Sequence, residues 1–298
     1  MEGSTLETAS MTIDDALLQI NAEATEIVIV GEGRLGEGVG VWGGYFGLSG
    51  ETSMKTQLKV NGKRSGQTDG IVGGLHSAEL GLHNLRMTEI AASDGLSGFL
   101  VFLSDASLWI SRCSVEASES LGVVHSTGQS SVDASELTMR RAAFASSAFL
   151  LVDESSLSLT DSTWTELRAS TGSLVDVSGW LTMNVEVSGV TISDCVCADT
   201  SKALFSIRLS AWTERERRQI VIKGSSFAGS ALSSPFVHVT GNGLGCDLLF
   251  VSTTMRWTGW TPGLLSRTGT TIVWTERQPL VVRRGLKMEN CAFVVKKL

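Results

Sequence analysis

Leu157-Ser158-Leu159-Thr160-Asp161-Ser162-Thr163-Trp164 is the stretch that decides the fold. Leu157 and Leu159 alternate with hydroxyl residues, the period of a strand with one buried face. Asp161 tolerates the left-handed backbone region, so a tight bend is expected there. Ser162 is small, as a residue pointing into a narrow corner must be. Trp164 resumes the apolar series beyond the bend. The same order (apolar, two polar, small or apolar, any, apolar) occurs in eight copies between Leu82 and Phe293. They begin at Leu82, Ile110, Met139, Leu159, Ile192, Ile222, Phe250 and Met288, roughly 20 to 38 residues apart. Periods of this size mean stacked supersecondary units.

The residue expected to bend is Asn84, Arg112, Arg141, Asp161, Asp194, Gly224, Ser252 or Asn290. Five of these eight are Asn, Asp or Gly, the types that best tolerate a positive φ. Cys113, Cys195 and Cys291 occupy the small slot and read as buried thiols. The small residues Cys113, Ala142, Ser162, Cys195, Ser225 and Thr253 are expected to stack in one column. A second apolar run precedes many copies, as in Phe99-Leu100-Val101-Phe102-Leu103 and Phe149-Leu150-Leu151-Val152. Each coil therefore offers two or three short strands with no helical stretch between them. Stacking would pair them in parallel, about 4.8 Å per coil, and eight to ten coils would make a rod of roughly 40–50 Å. A hairpin sandwich would instead place tight turns at Asn61-Gly62, Asp69-Gly70, Asp94-Gly95 and Asn242-Gly243.

Composition agrees. The 298 residues include 39 Ser, 27 Thr and 32 Gly but only 3 Pro, as many ladder positions with polar outward sites require. Hydrophobic residues at 42% exclude disorder. A net charge of −7, from 24 Lys+Arg against 31 Asp+Glu, argues against a general nucleic-acid binder. No apolar run approaches the roughly 18 residues of a membrane span. Met1 to Ser10 shows neither the basic nor the apolar region of a signal peptide, so a surface location is expected only for a fragment of a longer chain.

The start of the chain carries a resemblance. Thr12-Ile13-Asp14-Asp15-Ala16-Leu17-Leu18-Gln19-Ile20 places Ile13, Ala16, Leu17 and Ile20 on one helical face, with Thr12 as N-cap. A β-branched run follows, Glu26-Ile27-Val28-Ile29-Val30, and then Gly33-Arg34-Leu35-Gly36-Glu37. This order resembles the opening of right-handed parallel β-helix proteins, the pectin-lyase-like superfamily, with Leu35 where that family prefers an aromatic. The resemblance implies a cap helix over 10–22, irregular Gly-rich first coils over 25–80 and regular coils over 81–298. The whole of 1–298 would form one all-β solenoid domain with its C-terminus truncated. Gly31-Glu32-Gly33-Arg34-Leu35-Gly36 also matches a dinucleotide-binding spacing. Four more glycines within the next eight residues leave no helix to aim N–H groups at phosphate.

Enzymatic signatures of that superfamily do not appear. Asp14-Asp15 is the only polygalacturonase-like pair, and it lies in the expected cap helix. Asp153 and Asp176 are the nearest thing to a carboxylate pair, but aligning Leu157 with Leu181 puts them on opposite faces. His76, His83, His125 and His238 are scattered, and Cys195-x-Cys197 lacks a second half, so neither metal nor cofactor is expected. Trp212-Thr213-Glu214-Arg215-Glu216-Arg217-Arg218 is the candidate ligand-binding segment, through Trp212, Arg215, Arg217 and Arg218. The Trp-Thr-Glu string recurs at Trp164 and Trp274, and Trp164 reads as core. The expected function is a non-catalytic surface or secreted module for adhesion, binding a glycan or protein partner, resembling Ser/Thr-rich β-helix proteins that microbes display. The alternatives are a lyase or glycoside hydrolase acting on acidic polysaccharide, and a structural spacer.

Overall fold

The computed structural model describes residues 24–36, 38–51, 56–62, 70–92, 98–116, 119–179, 184–199, 202–209, 218–230, 237–241, 246–258, 273–276, 286–289 and 292–296. The expected cap helix over 10–22 lies outside them. The described residues form strands and turns alone. The chain visits three long sheets in rotation. Sheet 1 holds ten strands, from Ala24–Ile29 to Leu286–Glu289. Sheet 2 holds ten, from Glu32–Leu35 to Ala292–Lys296, and sheet 3 holds nine, from Val39–Trp42 to Val273–Glu276. Four coils add a two-residue strand between sheets 2 and 3, as at Ala143–Phe144. Neighbouring strands pair in parallel, each with the strand one coil away. The molecule is thus a parallel β-solenoid, and the hairpin alternative fails. Asn61-Gly62 ends a strand that pairs in parallel across a bulge, and Gly70 begins another.

Inward columns follow the sequence alternation. Leu80, Leu108, Val132, Leu157 and Val185 stack on sheet 1, and Met87, Val115, Met139, Trp164 and Ile192 on sheet 2. All are buried. Trp164 lies between Phe149 and Phe205, rings nearly parallel, with centroids 5.6 and 6.1 Å away. Phe227 then meets Phe205 edge-on. Large rings from sheets 2 and 3 interleave in a continuous run that fills this part of the core.

The bends occur where the sequence places them. Asn84, Arg112, Arg141, Asp161, Asp194, Gly224 and Ser252 all have φ between 47° and 56°. Asn290 lies outside the described residues. The single column of small residues is corrected, however. In three coils the same local pattern occurs twice, from sheet 1 to 2 and again after sheet 2 at Arg141, Glu166 and Asp194. Cys113, Ser162, Ser225 and Thr253 belong to the first corner, stacked with Leu85, Leu137 and Val190. Ala142 and Cys195 belong to the second, with Leu167 between them. Where a coil carries both turn signals, they merge into one apparent repeat in the sequence. Glu136 and Gly189 complete the first column of bends and Glu166 the second, all with positive φ.

The corners also explain which small residues appear. Ser162 donates its hydroxyl to the carbonyl two residues back, at 2.8 Å, and accepts the buried N–H of Leu137 at 3.0 Å. Ser225 and Thr253 make the same backward bond at 2.9 and 3.1 Å, and the Cys113 and Cys195 thiols make it at 3.3 Å. Each of those carbonyls also accepts the N–H of the bend residue one coil away, as Thr160 does from Glu136 at 3.1 Å, so the short donor adds a bond at its second lone pair. Cys113 and Cys195 are thiols, as expected. Burial pushes Cys113 up to about 11 and Cys195 up to about 12, which keeps both protonated. Cys291 lies outside the described residues.

Candidate functional site

Trp212, Arg215 and Arg217 lie outside the described residues, and Arg218 opens the sheet 1 strand Arg218–Lys223. The aligned acids are not brought together. Leu157 pairs with Val185 rather than Leu181. Asp153 bends between sheets 3 and 1 with φ 61°, while Asp176 sits within sheet 3 beside Leu150 and Ser206. There Asp176 is buried and accepts from Arg208 at 3.0 Å. The glycine-rich stretch after residue 30 runs as a turn at Gly31 and a strand over Glu32–Leu35, with no helix behind it.

The structure instead assembles polar and aromatic groups on the outer face of sheet 1, in its first five strands. Tyr45-Phe46-Gly47-Leu48-Ser49 and Glu79-Leu80-Gly81-Leu82-His83 pair in register. The leucines and Phe46 point inward, so the two glycines face outward beside each other. Both are buried because side chains from the same strands fold over them. A Cβ on residue 47 would stand 2.5 Å from the Tyr45 phenol oxygen. A Cβ on residue 81 would stand 2.7 Å from His83 Nε2 and 2.8 Å from that same phenol oxygen. Tyr45 and His83, 38 residues apart in sequence, therefore converge above Gly81.

Neighbouring coils complete the cluster. His83 Nδ1 lies 2.7 Å from Ser111 Oγ. Glu26, in register below Gly47, accepts from Ser49 at 2.8 Å. Glu79 pairs in register with Tyr45. Trp109 follows Gly81 in the same outward column and is 36% exposed, with Asp133 next above. At the corner preceding Tyr45, Trp42 is 60% exposed and packs on His76 with ring centroids 5.1 Å apart. Gly43 and Gly44, with φ of 66° and 71°, turn the chain from Trp42 to Tyr45.

The electrostatics keep the cluster's rings neutral. Burial, then the Glu26 and Glu79 carboxylates, raise the Tyr45 phenol above its ordinary value, so it remains a donor. Burial lowers His83, with Arg112 acting in the same direction and Glu26 opposing. The imidazole is therefore neutral near pH 7, one nitrogen donating and the other accepting. Among the described residues no group of three or more His, Cys, Asp or Glu is placed to hold a metal ion. No described helix is long and apolar enough to cross a membrane.

Sequence reasoning missed this cluster, although one signal was present. The only tyrosine of the chain stands two residues before an outward glycine, and the next sheet 1 strand repeats that glycine. Chemically, the arrangement offers exposed indole faces, a protonated phenol, a neutral imidazole and carboxylate acceptors on a rigid sheet. No family model, no curated protein and no solved structure matches the chain.

Proposed function

We propose that the chain is a non-catalytic, right-handed β-helix module of pectin-lyase-like type, with an N-terminal cap helix, that binds saccharide in adhesion at a microbial surface. The right hand follows from the rule for parallel crossovers. The cap follows from the amphipathic pattern of Ile13, Ala16, Leu17 and Ile20. The observation that carries the binding role is the Trp109–Gly81–Tyr45–His83 surface. An exposed indole gives the apolar face of a sugar ring a partner. The phenol, imidazole and carboxylates give its hydroxyls fixed donors and acceptors. Cleavage of a polysaccharide calls for two or more acids with a Lys or Arg on one outward face. The outward positions of the first seven sheet 1 strands hold Glu26, Glu79, Asp133 and Glu186 and no Lys or Arg. At the aromatic cluster that pattern favours binding without turnover, while on sheet 2 the acids Glu32 and Glu116 are each paired with a basic side chain.

The test is an oligosaccharide panel read by tryptophan fluorescence and calorimetry. The proposal expects binding by at least one oligosaccharide, weakened tenfold or more by Trp109→Ala with the fold intact by circular dichroism. An unchanged affinity in that variant would remove the site. Binding of no member of the panel would leave a spacer as the better reading.

A further inference from the structure

The charges around the aromatic cluster sort the ligands it can take. Glu26, Glu79 and Asp133 lie on or directly beside the column that contains Gly47, Gly81 and Trp109, and all three are exposed. Lys and Arg are absent from the outward positions of sheet 1 until Lys223, which pairs with Glu186. The corner leading into this sheet adds Asp105, Asp153 and Glu154, and the corner leaving it adds Glu136 and Asp161, with Arg112 the one basic residue there among the described residues. Sheet 2 is different. Arg34, Lys59, Arg86 and Arg140 face outward there, with Lys59 on Glu32 at 2.9 Å and Arg86 on Glu116 at 2.7 Å. Charge is therefore segregated by face, and the aromatic platform lies on the acidic one.

Resting on the saccharide-binding reading, we infer that this platform takes uncharged saccharides and excludes those bearing carboxylates or sulfates. Trp109, Tyr45 and His83 provide contacts indifferent to ligand charge. The surrounding carboxylates repel an anionic chain before it reaches them. Each carboxylate lies on a strand next to that of Tyr45 or Trp109, one rung of about 4.8 Å away, within a Debye length of about 10 Å at 0.1 M salt. The exclusion is therefore collective and sensitive to ionic strength. The polymers that superfamily resemblance first suggests, acidic ones, are the ones this face disfavours.

The experiment compares galactose oligomers with galacturonate oligomers of equal length and linkage, at 20 mM and 500 mM NaCl. Expected is neutral binding that salt leaves unchanged and acidic binding at least tenfold weaker at low salt, with that gap narrowing at high salt. Glu136→Gln/Asp161→Asn, at the corner beside the platform and outside its contacts, should raise acidic affinity at low salt and leave neutral affinity alone. Equal or tighter acidic binding at low salt would overturn the exclusion while leaving the binding site standing. Loss of both ligands would count against the site itself. A gap that neither salt nor the double variant changes would assign the selection to shape and overturn the electrostatic inference.

Discussion

Replacing Trp164 tests the packing of the solenoid at its most enclosed point. The indole is fully buried, with Phe149 on one side and Phe205 on the other. Truncation of a buried Trp to Ala costs about 3–5 kcal/mol, and loss of each aromatic contact adds about 0.5–1.5 kcal/mol. Trp164→Ala should therefore lose at least about 3 kcal/mol. Trp164→Phe behaves differently for a specific reason. The Trp164 Nε1 is buried with no hydrogen-bond partner among the described residues, and an unsatisfied buried donor costs about 1–3 kcal/mol. Phe keeps a ring in the stack and removes that donor, so its lost volume is largely offset. The expected cost of Trp164→Phe is within about 1 kcal/mol of wild type. Urea unfolding followed by circular dichroism measures both, with hydrogen exchange showing whether the loss spreads beyond the neighbouring coils. A Trp164→Ala cost below about 1 kcal/mol would refute the enclosed position. A Trp164→Phe cost equal to that of Trp164→Ala would refute the role given to Nε1.

Other consequences follow from single residues. Gly189 bends with φ 66° under the Asp161 carboxylate, while Gly31 has φ 79° with open space where a Cβ would stand. Gly31→Ala should cost about 1–2 kcal/mol, and Gly189→Ala measurably more because Asp161 must also move; equal melting shifts would count against the corner geometry. Cys113 and Cys195 should resist alkylation at pH 8 and react on unfolding, because burial holds the thiols near 11 and 12. Mass mapping that finds either modified in the native protein would contradict the corner packing. The lowered His83 binds its proton less readily folded than unfolded. Its stabilising contribution is present above the unfolded value of about 6.5 and is lost as pH falls through the lower folded value. His83→Gln should flatten that slope in urea titrations, and an unchanged slope would assign it elsewhere.

The bends were legible because a left-handed residue followed by a short donor is a local event, readable at Asp161-Ser162 without knowledge of any neighbour. Even Arg112 and Arg141, poor candidates by residue type, bend as their position in the pattern demands. The alignment of coils was less legible. Both corners carry the same pattern, so Ala142 and Cys195 were placed one corner too early, and Leu157 was matched to Leu181 rather than Val185. Coil lengths vary, from the 24 residues that separate Leu108 from Val132 to the 35 that separate Val185 from Ile220, and no local signal counts them. The aromatic cluster was hidden for a related reason. Tyr45 and His83 meet only because two outward glycines stack across a coil boundary. Glycine in a strand signals a close approach, but it does not say which distant side chain approaches.

The most direct test of parallel stacking is a distance ruler along one outward column of sheet 2. Gln57, Arg86, Ser114, Thr138, Thr163, Thr191, Ser226 and Thr254 occupy successive rungs in register. Spin labels at Gln57 paired with Thr138, Thr191 or Thr254 span three, five and seven rungs. Electron–electron dipolar spectroscopy should return backbone separations rising linearly, near 14, 24 and 34 Å at about 4.8 Å per rung. Distances that do not grow with rung number would contradict the solenoid.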